Sequence, residues 1–112
     1  MIKIVLTFAD SGLLETLTSQ GHANRTNDLL NEACAGVSIL LRTVARLFSH
    51  ADGLSVVGSA DEPGQLLLSV TDVSDGCLDW YRGAVDLLLL GLRDLAEEYP
   101  DSIKIESKLR KR

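Results

Sequence analysis

Chemistry in this sequence is concentrated in two short stretches, Gly21-His22-Ala23 and, eleven residues beyond, Cys34-Ala35-Gly36-Val37-Ser38. A thiol attacks a carbonyl as its thiolate, and the two common aids to the thiolate are a nearby imidazole and a helix N-terminus. His22 leaves a strand-like run for the polar loop Asn24-Arg25-Thr26-Asn27-Asp28, while Cys34 falls at the opening of a long helical pattern. A cysteine and a histidine at this spacing read most simply as a buried small residue and a loop residue. Their neighbours turn the balance toward a Cys/His dyad. Ser38 follows Cys34 by one helical turn and shares its face, where its hydroxyl can serve a substrate or bond back to its own backbone. Gly36 permits close approach by another backbone, for docking or for packing, and Gly21 frees the turn that aims His22.

Other groups offer less. His50 lies sixteen residues beyond Cys34 in the same helical pattern, roughly 24 Å away at ~1.5 Å per residue, and suits the negative end of the helix dipole instead. Cys77 has no histidine beside it and reads as packing. Two cysteines and two histidines at 22, 34, 50 and 77 form none of the usual zinc clusters, and Gly53, Gly58 and Gly64 lack the spacing of a phosphate-binding loop. No metal, cofactor or nucleotide is expected.

The pairing of Gly-His-Ala with Cys-Ala-Gly-Val-Ser resembles the bacterial ribosomal-processing cysteine proteases, small dimeric enzymes that trim an N-terminal extension from ribosomal protein L-twenty-seven. Tyr81, the Leu87 to Leu95 run with Gly91, and Tyr99-Pro100 before a last strand are similar to that family's second half, so the likeness covers most of the chain. It implies catalysis by His22 and Cys34, with Gly21, Ala23, Asn31, Ala35, Gly36 and Ser38 binding or orienting the substrate. It also implies a homodimer and cleavage after an aromatic residue in a basic segment. One position departs: the family has aspartate three residues before the cysteine, and this chain has Asn31. An amide can orient an imidazole as a carboxylate does, without favouring its charged form. The rival reading is a non-catalytic, ribosome-associated binding module of the same fold.

The elements that must position these residues follow from periodicity. Ile2, Ile4, Leu6 and Phe8 alternate as a half-buried strand, Asp10-Ser11-Gly12 turns the chain, and Leu13 to Ser19 returns as a hairpin. From Gly21 to Asn31 a polar loop is expected to order when substrate binds. A helix over about 32–48 follows from Ala33, Val37, Leu40, Leu41, Val44, Leu47 and Phe48. Asn27 and Asn31 both suit its N-cap. Asn31 is preferred, which places Cys34 at the third helical position, where unpaired amides, its own included, favour a thiolate and an oxyanion. Residues 54–60 and 65–71 form a second hairpin around Pro63-Gly64. Ser74 or Asp75 caps a helix over 76–98, with Trp80, Ala84, Leu87, Leu88, Gly91, Leu92 and Leu95 inward, and Pro100 stops it. Residues 102–106 form the last strand. The order β-β-α-β-β-α-β predicts an α+β fold, two helices on one face of a mostly antiparallel, mixed sheet of about five strands.

A chain of 112 residues with 46% hydrophobic content fits a single domain over 1–107, with 108–112 as a basic, frayed tail. Two cysteines without a secretory leader predict a reducing compartment, the cytoplasm. The longest apolar run, Ala84 to Leu92, contains Asp86 and is far short of the roughly 20 residues of a membrane span. Four positive charges among the last five residues leave −9 on residues 1–107, out of a net −5. Such a body repels nucleic acid and attracts a basic peptide.

Overall fold

Ile2, Ile4 and Leu6 are almost wholly buried while Lys3 between them is exposed, as a strand covered on one side demands. The computed structural model describes residues 1–21, 28–60 and 64–110, and the backbone alone for 28–30. Strand β1 (Ile2–Phe8) turns into β2 (Leu14–Gln20) through Gly12, whose φ of +87° suits glycine. Helix α1 (Asp28–His50) follows, then β3 (Leu54–Ser59) and β4 (Gln65–Val73). A short 3-10 turn at Asp75–Cys77 leads into α2 (Leu78–Glu98), and β5 (Ile103–Leu109) ends the fold.

The five strands lie in the order β3-β4-β2-β1-β5. Every neighbouring pair is antiparallel except β1 with β5, which run parallel with Ile2 opposite Ile103. The expected α+β sandwich is therefore the observed one. Its core joins Ile2, Ile4, Leu6, Leu17 and Leu68 of the sheet to Val37, Leu41 and Phe48 of α1 and to Tyr81, Leu88 and Leu92 of α2.

The helices run antiparallel, because the early residues of α1 meet the late residues of α2. Leu95 lies where a Cβ on Gly36 would fall, and Leu40 lies where a Cβ on Gly91 would fall. At the other end the Phe48 ring packs on Trp80 at 6.2 Å and on Tyr81 at 5.2 Å. Two small residues thus admit two leucines and bring the axes close.

Three expectations change. First, α1 begins at Asp28, as the Asn27 alternative would have it, and not after Asn31. The spacing of Leu30, Ala33 and Val37 already continues the helical period backward, and Asp28 is favourable in a first turn. Second, the buried stripe of α2 is Tyr81, Val85, Leu88 and Leu92. Leu88 and Leu92 are inward as expected, whereas Trp80 and Leu87 lie on the outer side, since Tyr81 and Val85 take the buried positions beside them. Leu47 of α1 is likewise exposed. Third, the expected frayed tail is a paired strand as far as Leu109. The Arg110 N–H donates to the Phe8 carbonyl at 2.8 Å, and its guanidinium pairs with Glu15 at 2.8 Å. The length of β1 explains this, because Thr7 and Phe8 have backbone groups that a shorter β5 would leave unpaired. Among the described residues no helix is long and apolar enough to cross a membrane.

Tyr81 ties helix to sheet by donating its hydroxyl to the Leu14 carbonyl at 2.5 Å. Burial, and secondly the Glu15 carboxylate, raise its pKa above the ordinary 10.0. The unfolded chain gives up this proton above pH 10 while the folded chain keeps it, so the stabilisation is present below pH 10 and is lost as pH rises beyond it. Tyr81→Phe keeps the ring packing and removes the donor, and should lower the unfolding free energy by about 1–2 kcal/mol in a urea titration. The gap between parent and variant should narrow above pH 10.

Candidate active site

Helix α1 carries Cys34, Ser38, Leu41 and Arg42 at three- and four-residue steps, so the 3.6-residue period sets them on one stripe. This stripe forms one wall of a cleft of about 400 Å³. Ile2, Ser19 and Gly21 form its floor, and Ala60, Gly64, Gln65 and Leu66 of the β3–β4 hairpin form the opposite wall. A half-buried thiol thus opens on a concavity large enough for several peptide residues.

Gly21 can be nothing larger. Its φ is +113°, a region that side chains rarely adopt, and a Cβ there would fall on the Met1 carbonyl oxygen. The end of β2 is thereby pressed against β1 at the cleft floor, and the chain leaves toward residue 22 in a direction that only glycine permits.

The expected site residues divide as follows. Cys34, Ser38 and Gly21 come together in the cleft. Ser38 makes no side-chain hydrogen bond among the described residues, whereas Ser49 of the same helix bonds back to the Ala45 carbonyl at 2.8 Å. Asn31 is half-buried in the first turn of α1 and does not line the cleft. Ala35 is exposed beside it, and Gly36 faces α2 through Leu95. His22 and Ala23 lie outside the described residues, as does most of the loop expected to order on binding.

The start of α1 at Asp28 alters the electrostatics expected of Cys34. Only about the first four N–H groups of a helix lack an intrahelical acceptor. The amide of Cys34, six residues beyond Asp28, is directed at the carbonyl of residue 30 and is not a free oxyanion donor. The dipole acts within the first turn, so its aid to the thiol is smaller than an Asn31 cap would have supplied.

Two residues on the elements that carry the thiol were given no role at the site from sequence. Arg42 follows Ser38 by four residues just as Ser38 follows Cys34, a signal legible in the period alone. Tyr99 donates its hydroxyl to Glu32 Oε2 at 3.2 Å and so ties the end of α2 to the turn of α1 just before Cys34. Partial burial, then the Glu98 and Glu32 carboxylates, raise the Tyr99 pKa. Cys77 packs against Gly53, and His50 is exposed at the far end of α1. Both cysteines are free, and no group of acidic, histidine or cysteine side chains among the described residues could hold a metal ion.

Comparison with known proteins adds a family. The sequence model described as cysteine protease Prp matches residues 1–104. No curated protein sequence matches the chain. Among solved structures, an essential ribosomal processing protease Prp from S. aureus, with a covalently linked product peptide, is similar at 22% identity and a TM-score of 0.76, over 96% of this chain and 100% of that one. The S. aureus protease with a substrate peptide gives 20% identity and 0.75 over the same shares. A protein from Streptococcus mutans gives 22% and 0.78, over 98% of this chain and 96% of that one. At these identities the structural likeness is one of fold.

Gly21 and Gly12 supply a matched test, since both have positive φ but only Gly21 meets a backbone atom. Gly12→Ala should cost about 1 kcal/mol and Gly21→Ala about 2 kcal/mol or more, read from urea midpoints at equal m-value. Equal losses would remove the Met1 contact as a constraint.

Proposed function

This chain belongs to the cysteine protease Prp family, and from that premise we propose that it cleaves peptide bonds with Cys34 as nucleophile and His22 as its acid–base partner. The observation that carries the assignment is the opening of Cys34 on the cleft beside a Ser38 hydroxyl that makes no hydrogen bond among the described residues. The Cys34 thiolate adds to the scissile carbonyl carbon, forming a C–S bond and an oxyanion. Protonated His22 gives its proton to the departing amine as the C–N bond breaks. Water, deprotonated by His22, then attacks the thioester and releases the acid and the thiol. With the Cys34 amide committed to the helix, the Ser38 hydroxyl is a donor available to the oxyanion. Asn31 orients the imidazole, and the imidazole is the main aid to the thiolate because the helix dipole acts from a turn away. Gly21 sets the direction in which His22 is delivered. Ala23, Ala35 and Gly36 shape the backbone around the dyad.

The substrate is the basic N-terminal extension of a large-subunit ribosomal protein of the L-twenty-seven type, cut after an aromatic residue. Supporting this are the −9 charge of residues 1–107 and the S. aureus family members, described as ribosomal processing proteases and holding substrate or product peptides. The enzyme acts as one domain, without metal or cofactor, in the cytoplasm where ribosomes mature. It engages neither nucleic acid nor membrane directly.

A second copy of the chain covers the outer helix face. Ile39, Leu87 and Leu90 are 69%, 66% and 54% exposed, and Leu88, Leu89 and Leu90 are too consecutive for one inward stripe. Light scattering should give twice the 12.1 kDa chain mass, and a monomer at micromolar concentration would remove the dimer.

Cleavage of the basic peptide should vanish in Cys34→Ser, nearly vanish in His22→Ala and persist in Cys77→Ser. Asn31→Asp should change the rate by about tenfold, equivalent to ~1.4 kcal/mol of barrier. If the parent binds the peptide but cuts it no more than Cys34→Ser does, with no turnover by either, the chain is a non-catalytic binding module on the same fold.

A further inference from the structure

The cleft contains one charged side chain among the described residues that line it, and that side chain is a cation. Arg42 stands on the Cys34–Ser38 stripe, exposed at its margin, and makes no ion pair among the described residues. The pairs present there use Lys3, Arg82 and Arg110 instead. All the other described lining residues are apolar, glycine, serine or glutamine. Among the described lining residues the groove thus carries a single positive charge within an acidic chain, and a basic peptide drawn in by the chain meets at Arg42 a local charge of the opposite preference.

Helical geometry fixes the reach. Eight residues separate Arg42 from Cys34, about 12 Å along the axis at 1.5 Å per residue. An extended peptide advances about 3.3 Å per residue, so the third or fourth residue from the scissile bond comes opposite the guanidinium. Its fork of donors suits a carboxylate.

We propose that Arg42 is a specificity-determining residue, selecting an acidic side chain three or four residues from the cleaved bond on the side of the substrate that runs along α1. The proposal rests on the protease reading of Cys34 given above. Long-range attraction and local selection are then separate filters. The body, −7 over residues 1–110 once Lys108 and Arg110 join the −9 of residues 1–107, recruits a basic segment, and the cleft admits it in the register that puts a carboxylate, and no lysine, beside Arg42.

The test is a set of peptides in which Glu, Ala or Lys occupies each of the five positions on either side of the scissile bond. Turnover is measured with the parent, Arg42→Ala and Arg42→Glu. At one position, third or fourth from the bond, the parent should prefer Glu over Lys by about tenfold in kcat/KM, chiefly through KM. Arg42→Ala should erase that preference and Arg42→Glu should invert it, with the other positions unchanged. The same charge profile in all three enzymes overturns the assignment. Binding of the same peptides to Cys34→Ser and to Cys34→Ser/Arg42→Glu, read by fluorescence anisotropy, separates the two readings. A charge preference that inverts with Arg42 when no enzyme turns over any peptide would keep the subsite and sink the protease. Turnover with no preference tied to Arg42 would do the reverse.

Discussion

The close antiparallel contact between the two helices is the constraint on which the rest depends. Leu95 occupies the space above Gly36, and Leu40 occupies the space above Gly91. This reciprocal fit locks the rotation of α1 about its own axis. Turned by one residue position, roughly 100°, the helix would carry Cys34, Ser38 and Arg42 off the cleft wall together. Glycine at 36 is therefore a residue of the helix pair before it is anything else, although it sits two positions from the thiol. The hydrogen bond from Tyr99 to Glu32 holds the same crossing at the end nearest Cys34.

The sheet supplies the complementary constraint. Ile2 and Ser19 lie on adjacent strands β1 and β2, and Gly21 extends that floor by passing close over Met1. The opposite wall belongs to the β3–β4 hairpin, whose β4 pairs with β2 along Thr16 to Gln20. Helix, hairpin and first strand thus meet only through tertiary packing, and the thiol is placed by contacts far apart in sequence.

How much of this was legible in the sequence depends on which physical signal was strong. The strand alternation of Ile2, Ile4 and Leu6 and the helical recurrence of Ala33, Val37 and Leu41 carried the fold class, because one buried face imposes one period. Cys34 and Ser38 on one face followed from spacing, whereas Gly21 beside them is a product of tertiary packing. The start of α1 did not, since Asn27 and Asn31 are equally good caps and only the backward continuation through Leu30 distinguishes them. The inward face of α2 was legible in part: Leu88 and Leu92 are buried as expected, but Trp80 and Leu87 are not, because a helix with Leu87 through Leu90 in a row offers several apolar stripes and only the sheet decides among them. Basic residues at 108 and 110 hid the end of β5, whose pairing is dictated by the length of β1. Arg42 was readable in the same period that placed Ser38. A charge on a helix ordinarily faces water, and only the far wall of the cleft shows that this one borders a site.

The parallel pairing of β1 with β5 joins the two ends of the chain, with Ile2 opposite Ile103 and Phe8 opposite Leu109. Contacts of such sequence separation form late, because the closure entropy of nearly the whole chain must be overcome before they contribute. During synthesis the first strand therefore has no partner on that side until the last strand emerges. Ile2, which floors the cleft, belongs to that waiting strand. Assembly of the groove is in this way tied to the docking of β5: without it, the floor strand beneath the thiol is held on its β2 side alone.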